Sequence, residues 1–239
     1  MWSPIRWRRL LAILTTSAGL AASGLAAKAE TPAPICFEAW RNGDQLGHHR
    51  VRFHRDGETL TAEIAIDYKV ALGPITLFTY SHRNRETWRD GRLVAIATRT
   101  NDDGDHFFVN GQATADGFQV TSSAGPATFP ADVMPTSYWQ AYGKLEQRVW
   151  LDTQSGRRLS LTASVVSPPR GAENGTSLEG EISLIVGYDG KGRWSGLSFS
   201  ARDSTVDYVQ CAKADDALWS YRIDDIAAPK GAFETSQAQ

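Results

Sequence analysis

The sequence of 239 residues lacks the motifs that mark most enzymes and metalloproteins. It contains no glycine-rich nucleotide or phosphate loop, no Gly-x-Ser-x-Gly, no His-Glu-x-x-His and no Cys-x-x-Cys. Its five histidines include no His-x-His pair, and the acidic turn at residues 101–105 is not followed by the glutamate that closes an EF-hand loop. The sequence therefore predicts neither a resident metal nor a cofactor.

Cysteine is nearly absent, because only Cys36 and Cys211 are present. They lie in the first and last segments that have a strand-like pattern. One disulfide between them is the simplest interpretation in an oxidising compartment, and two separate thiols are the alternative. If the two cysteines pair, the first and last strands lie side by side, as closure of a barrel predicts.

Long apolar runs are also scarce, and the longest spans Leu10–Leu25. It follows three arginines within residues 6–9 and ends in Ala-Lys-Ala at residues 27–29, the small-x-small form that signal peptidase reads. At about sixteen residues the run is shorter than the ~20 that a membrane-spanning helix needs. We therefore expect a signal peptide over residues 1–29, cleavage after Ala29, no membrane anchor afterwards, and a periplasmic or secreted protein.

An excess of basic residues is missing as well. Cleavage would remove four of the 25 basic residues and none of the 27 acidic ones, which leaves 21 basic residues and a net charge of −6. This charge argues against nucleic acid and anionic lipid surfaces as partners. The remaining length is enough for one domain, which we expect over residues 30–211, followed by a partly disordered tail over residues 212–239.

The pattern between residues 35 and 211 is that of β-strands joined by tight turns. Apolar and polar residues alternate, and Asp-Gly and Asn-Gly pairs recur at intervals typical of hairpins. We expect an all-β domain, an antiparallel closed or half-open barrel, with a short helix after the seventh strand capped by Thr136 and a loop over residues 168–177. The predicted strands number about eleven or twelve and lie near residues 35–42, 46–55, 58–71, 74–89, 92–100, 105–112, 117–123, 146–152, 157–166, 178–188, 192–201 and 204–210.

The fourth predicted strand carries the main candidate site. Its alternation assigns one face to the interior and leaves Ser81, Arg83, Arg85, Thr87 and Arg89 facing solvent. A buried histidine and carboxylate need partners, so they suggest ligand recognition or acid–base chemistry in a cavity. The alternative is an ordinary strand in which neighbouring groups satisfy both side chains. The residues predicted on the inner face are Phe78, Tyr80, His82, Asn84, Glu86 and Trp88, the last five being candidate ligand-binding residues.

A second candidate is the Pro135–Trp139 segment. Its Ser137, Tyr138 and Trp139 could form the lip of a binding cavity, or they could fill the barrel as core. Ser137 lacks the sequence context of a catalytic serine.

Four stretches together resemble the landmarks of an exported proteobacterial family of unknown function, which is similar to a larger periplasmic family. They cover most of residues 36–210. The resemblance implies an all-β, barrel-like exported domain and brings no activity or catalytic residue with it. Likeness to half-barrel carriers of lipids or lipoproteins is an analogy of fold. The landmarks are Tyr80-x-His82-x-x-x-Glu86-x-Trp88-x-x-Gly91-x-Leu93, Pro135-Thr136-Ser137-Tyr138-Trp139, Leu151-Asp152-Thr153-Gln154-x-Gly156-Arg157 and Tyr188-Asp189-x-x-Gly192-Arg193-Trp194.

We therefore expect a binding protein that holds an apolar or lipid-like small molecule in a β-barrel cavity. The strand count, the lack of a catalytic motif and six tryptophans after residue 29 favour it. One alternative is an envelope enzyme, hydrolase-like or isomerase-like, that uses His82 and Glu86. Another is a non-catalytic envelope assembly or interaction protein that uses exposed strand edges. The oligomeric state stays open.

Overall fold

The computed structural model describes residues 30–140, 149–201 and 204–212, and these residues form strands and turns without a helix. Thirteen strands make one antiparallel sheet and three two-residue strands make a second. The strands are β1 Ile35–Arg41, β2 Asp44–Asp56, β3 Thr59–Leu72, β4 Ile75–Arg89, β5 Arg92–Asp102, β6 Asp105–Thr114, β7 Gly117–Ser122, β8 Gly125–Phe129, β9 Met134–Pro135, β10 Trp150–Leu151, β11 Arg158–Leu159, β12 Leu161–Val166, β13 Asn174–Gly180, β14 Ser183–Tyr188, β15 Trp194–Ala201 and β16 Ser204–Gln210.

No helix within these ranges has the length and apolarity needed to cross a membrane. The predicted signal peptide and the predicted tail beyond residue 212 lie outside the described residues.

The large sheet consists of two runs of hairpins that meet at the first and last strands. Its order is β12-β13-β14-β15-β16-β1-β2-β3-β4-β5-β6-β7-β8. Strand β1 pairs with β16 from Phe37 opposite Gln210 to Arg41 opposite Val206. Both edge strands, β8 and β12, therefore come from the middle of the chain.

The predicted disulfide is present between Cys36 and Cys211, whose Cα atoms lie 5.4 Å apart. The Cys211 amide donates to the Cys36 carbonyl at 2.9 Å, which extends the β1–β16 ladder to the disulfide itself. The inference from this bond to a closed barrel was wrong. Strands β1 and β16 meet in the interior of the sheet, while its edges β8 and β12 do not pair in the part of the chain that the structure describes.

The sheet is strongly curved around an inner segment, which consists of residues 130–140 and 149–159. The rings of Tyr138 and Trp194 are 6.2 Å apart, and those of Trp139 and Trp88 are 5.6 Å apart. Trp194 is on β15 and Trp88 on β4, five places away in the strand order. That separation is about 24 Å in a flat sheet, so two consecutive inner residues can touch both strands only because the sheet curls.

The core lies between the concave face and this inner segment. Strand β7 shows the underlying pattern, since Phe118 and Val120 are buried and Gln119 and Thr121 between them are exposed. The small sheet β11-β10-β9 supplies the other side with fully buried Trp150 and Leu151. A sheet of this size buries an apolar face only if something covers it, and the inner segment provides that cover.

The predicted short helix is absent from the described part of its segment. Residues 136–140 form turns, and Tyr138 adopts a left-handed conformation with φ of 61°. The hydroxyl of Thr136 accepts from the Thr153 amide at 3.1 Å, so it caps the partner loop and not a helix. Residues 141–148 lie outside the described ranges. They include the last part of the segment in which the helix was predicted and the first part of the strand predicted at 146–152.

Two predicted strands have wrong bounds and strand β8 was not predicted, and each error has a structural reason. The strand predicted at 157–166 is divided between the two sheets, because the chain crosses at Ser160, whose amide bonds to Glu181 at 2.9 Å. The strand predicted at 178–188 is a hairpin that reverses after Gly180, and its first arm takes residues 174–177 from the predicted loop. Strand β8 was missed, because its Gly-Pro start resembles a turn.

Candidate functional site

Strand β4 directs the predicted face toward the interior. His82, Asn84, Glu86 and Trp88 are buried, while Tyr80 is partly buried nearer the end of the strand. Strand β4 is paired with β3 along its length and with β5 from Tyr80 to Arg89, so its alternate side chains there can reach only the concave or the convex face.

The carboxylate of Glu86 is fully buried and is surrounded by donors. Its Oε1 accepts from the Asn84 amide at 2.8 Å, and its Oε2 accepts from the indole N–H groups of Trp88 at 3.0 Å and Trp139 at 2.9 Å. Burial raises the pKa of Glu86 above its ordinary value, and the Asn84, Trp88 and Trp139 donors counteract only part of that rise. This carboxylate holds the inner segment against the sheet.

The Pro135–Trp139 segment lies inside the curved sheet as part of the core. Trp139 packs edge-to-face against Phe53 at 5.0 Å and bonds to Glu86. The Tyr188 hydroxyl donates to the carbonyls of Tyr138 at 3.1 Å and Gln140 at 2.9 Å, which ties the segment to the opposite side of the sheet. Ser137 is buried, and its Oγ has no hydrogen-bond partner among the described residues.

Two buried histidines face the same interior. The Nδ1 atom of His82 lies 2.7 Å from the Thr100 hydroxyl, and that of His49 lies 3.3 Å from the Tyr208 hydroxyl. Burial lowers the pKa of each to about 3, assisted by the Arg83 charge at His82 and by His82 at His49. Both imidazoles are therefore neutral at pH 7.

The convex face of β4 differs from its prediction at one position. Arg83 is buried, and its guanidinium forms a two-pronged ion pair with Asp67 at 2.8 and 3.0 Å. The same group donates to the carbonyls of Ile66 and His82 at 3.0 Å. The arginine lies flat along the sheet because these acceptors hold it there. Arg89 is exposed, as predicted, and Ser81, Arg85 and Thr87 are half-buried.

An inner chamber of about 180 Å³ lies between β4 and the inner segment. Its wall is mixed, with histidine, amide, hydroxyl and aromatic groups beside a few aliphatic ones. Asp152 is the charged residue of the lining, and its carboxylate is occupied by the Ser155 hydroxyl at 2.5 Å and the Gln154 amide at 3.0 Å. The lining residues are His49, Ile64, Ile66, Tyr80, His82, Asn84, Thr136, Ser137, Tyr138, Asp152, Thr153, Gln154, Leu159, Ile182 and Tyr208.

A larger, mostly apolar outer cavity of about 660 Å³ adjoins this chamber. It lies at the sheet end that carries the β1–β2, β3–β4 and β5–β6 turns, and it reaches the surface at exposed Leu77. The lining residues are Arg41, Leu46, Ile66, Tyr68, Val70, Leu77, Phe78, Tyr80, Asp102, Gln154, Phe199, Ala201, Ser204, Val206 and Tyr208.

Four residues line both spaces and form the boundary between them: Ile66, Tyr80, Gln154 and Tyr208. The Tyr80 hydroxyl donates to Gln154 at 3.1 Å, and the hydroxyls of Tyr68 and Tyr208 hydrogen-bond to each other. Burial raises the pKa of Tyr80 and Tyr208, so both phenols stay protonated at pH 7. The apolar outer cavity and the polar inner chamber therefore lie next to each other and share these four residues as a common wall.

The sequence pattern pointed to part of this wall and missed the rest. Tyr80, His82, Asn84, Ser137 and Tyr138 line the inner chamber, whereas Glu86, Trp88 and Trp139 lie behind it as support. The sequence analysis did not single out the contributions of β2, β16 and the β10–β11 turn. Their strand alternation marks inward positions, but it does not say which distant strands face each other. The missed residues that bond within this wall are His49, Tyr208 and Gln154.

Within the described ranges, one group of side chains outside the cavity has the spacing of a candidate metal site. Glu38, His48 and Cys211 bring ligand-type atoms within 4.8 Å of one another. The Cys211 sulfur is committed to the disulfide, so the set cannot offer a thiolate.

The chemistry that the interior can perform follows from these contacts. Among the described residues, no hydrogen bond joins His82 to Glu86 or Ser137 to a histidine. A nucleophile and its base must lie within hydrogen-bond reach, and these side chains do not form such a pair in the structure.

Residues 37–210 match the model of the family described as "Domain of unknown function (DUF6134)". The chain belongs to that family, which agrees with the resemblance seen in its motifs. Comparisons with curated proteins and with solved structures gave no match.

Proposed function

We propose that this protein is an exported carrier or sensor that binds an apolar or lipid-like small molecule inside its curved sheet, which acts as a half-open barrel. The observation that carries the proposal is the outer cavity of about 660 Å³ with its largely aliphatic and aromatic wall. Ligand sites are typically concave, mostly apolar spaces of ~300–1,000 Å³ with a few polar groups.

The wall of the outer cavity supports an elongated apolar guest. Aliphatic and phenylalanine side chains from β2, β3, β4, β15 and β16 cover it, and polar groups are few. Burying apolar surface against such a wall contributes roughly 25 cal/mol per Å². Several CH₂ groups therefore suffice for useful affinity.

The catalytic alternative receives less support from the same geometry. All three hydrogen bonds to Glu86 come from side chains that brace the core, and His82 is engaged with Thr100. The pKa of His82 at about 3 also removes it as a base near neutral pH, because a useful general base has a pKa near the working pH.

Export forms part of the proposal. The basic, apolar and small-residue sections of residues 1–29 have the order of a signal peptide. The Cys36–Cys211 disulfide is consistent with the oxidising periplasm or cell exterior. Membrane attachment is not needed for a carrier of this design.

A cavity-filling variant tests the binding proposal. We expect the uncharged fluorophore N-phenyl-1-naphthylamine to bind in a saturable manner, and Ala201→Trp in the outer cavity to weaken binding at least about tenfold, because the indole occupies the space of the probe. Fluorescence titration at pH 7.5 measures this, after circular dichroism shows that each variant is folded.

Ala97→Trp is the matched control. Ala97 lies on β5 opposite Arg85 and Asn110, on the convex face, so the same enlargement leaves the cavity empty. Equal affinity of the two variants, or no saturable binding by the wild type, would contradict an interior site.

A further inference from the structure

Three buried polar atoms in the wall of the inner chamber have no hydrogen-bond partner in the part of the chain that the structure describes. They are Asn84 Oδ1, Ser137 Oγ and His49 Nε2. Each belongs to a side chain that lines the chamber. A buried polar atom left unsatisfied costs free energy, so three in one small space indicate that a guest with polar atoms completes the set.

The Asn84 amide is oriented by its neighbour on the strand. Its Nδ2 donates to Glu86 Oε1 at 2.8 Å. The amide oxygen of Asn84 is left as an acceptor without a partner among the described residues. Two indole N–H groups, which can only donate, occupy the other oxygen of Glu86.

Ser137 and His49 add both hydrogen-bonding roles. The serine hydroxyl donates and accepts, and a neutral imidazole whose Nδ1 is engaged with Tyr208 has one further ring nitrogen for a guest. A group that can donate to Asn84 and also accept from Ser137 suits this set. Hydroxyl and primary or secondary amide groups have that dual capacity.

The charge of the chamber selects against ionised groups. No lysine or arginine lines it, and its one carboxylate, Asp152, is already hydrogen-bonded. An anion would be desolvated there without a cation. A cation would lose its hydration there and find one charged partner in the lining, the Asp152 carboxylate, which already accepts from Ser155 and Gln154.

We propose that the inner chamber binds the uncharged hydroxyl- or amide-bearing end of the ligand. The apolar remainder extends past the four residues of the boundary into the outer cavity. This inference rests on the proposed function and defines its ligand class: a neutral lipid-like molecule, such as a long-chain alcohol, acylglycerol or fatty amide. The opposite orientation would put a charged head beside Arg41, which lines only the outer cavity.

A series of ten-carbon competitors that differ only at one end tests the orientation. Displacement of N-phenyl-1-naphthylamine by decane, 1-decanol, decanoate and decylammonium is measured at pH 7.5. We expect 1-decanol to bind roughly three- to tenfold more tightly than decane, the effect of one net hydrogen bond. We expect decanoate and decylammonium to bind at least about tenfold more weakly than 1-decanol.

Ser137→Ala locates the polar contact. We expect it to lower the preference for 1-decanol over decane about threefold or more, with the affinity for decane unchanged, because only the hydroxyl is removed. Ser195→Ala is the matched control. Ser195 is also buried with an unpartnered Oγ, but it lines neither cavity. We expect the Ser195→Ala variant to keep the wild-type preference.

The outcomes separate the two proposals. If the fluorophore and decane fail to bind, the interior site itself is absent and the proposed function fails. If both bind but 1-decanol shows no advantage over decane, or decanoate binds best, the binding function survives and the neutral-end assignment is overturned. Equal changes in the preference for 1-decanol over decane in Ser137→Ala and Ser195→Ala would likewise overturn the neutral-end assignment.

Discussion

At the scale of single residues, the interior is organised by a buried carboxylate that braces the core. Glu86 joins β4 to the inner segment through Trp139 and fixes Asn84 on its own strand. A buried charge is tolerated only with such a complete set of donors. Alteration of Glu86 should therefore affect folding stability before it affects any chemistry.

Glu86→Gln tests this role. The amide oxygen of the new glutamine can keep the donors of one carboxylate oxygen. The NH₂ group that replaces the other oxygen must then face a donor, either Asn84 Nδ2 or an indole N–H. We expect a loss of about 1–3 kcal/mol in the free energy of unfolding, measured by urea denaturation. Glu63→Gln is the control, since Glu63 forms half-buried ion pairs with Arg52 and Arg85 on the convex face and should cost under about 1 kcal/mol. Equal losses would show that Glu86 is not a brace.

The buried histidines predict how stability depends on pH. The folded pKa values of His49 and His82, about 3, lie below the ordinary 6.5, so their contribution is complete above pH 6.5 and is lost as the pH falls toward 3. Between pH 6.5 and 5 each histidine should cost about 2 kcal/mol. The raised pKa of Glu86 has the opposite effect on stability as the pH falls, because burial disfavours the charged form of its carboxyl group.

Comparison of variants isolates the histidine effect from that of Glu86. We expect the free energy of unfolding of His82→Asn to fall less steeply between pH 6.5 and 5 than that of the wild type. His106→Gln, at an exposed position, should keep the wild-type slope. The wild-type slope in both variants would mean that His82 is not held neutral.

Residue-level prediction from the sequence succeeded where the physics was local. Period-two alternation is enough to assign His82, Asn84 and Glu86 to the inner face of β4. The burial of Arg83 was missed, because it depends on Asp67 of the neighbouring strand. The partnership of His49 with Tyr208 joins β2 to β16 across 159 residues of sequence, which no local pattern encodes.

At the scale of elements, the inner segment is positioned by close contacts at its turns. Gly156, in the turn between β10 and β11, has φ of +84° and lies so close to β7 that a Cβ there would be 2.2 Å from the Ser122 side chain. The Asp152 carboxylate accepts from Ser155 in the same turn and holds its shape. This turn therefore docks the small sheet on the large one.

Gly156→Ala should cost more than the conformational strain of a positive φ alone. We expect the strain to contribute about 1 kcal/mol and the overlap with Ser122 another 1–3 kcal/mol, measured as a lower midpoint of urea unfolding. Gly91→Ala, with φ of +70° and nothing near its Cβ position, is the control for strain. If both variants lose the same stability, the turn is not packed against β7.

Element prediction failed mainly where a strand changes partners. Hairpins with Asp-Gly turns were located well, since those pairs mark the reversal directly. The crossing at Ser160 and the reversal after Gly180 carry no such signal, because Arg158–Val166 and Leu178–Tyr188 read as continuous alternation. Tertiary pairing decides where these strands end.

At the scale of the whole molecule, the first and last strands pair with each other in the interior of an open sheet. The sequence supported adjacency of the first and last strands through the two cysteines. It did not support closure, because two hairpin series can spread to either side of that join and leave β8 and β12 as edges. The curl around the inner segment creates the interior in which we place the ligand.

Native mass spectrometry of detergent-free periplasmic protein tests the binding claim most directly. We expect a chain beginning at Glu30 that carries one lipid-like molecule without ionised groups, identified after solvent extraction, and we expect Ala201→Trp to be isolated largely without it while Ala97→Trp retains it. A wild-type protein with no bound molecule, and with no mass shift on addition of 1-decanol or a monoacylglycerol, would contradict the account.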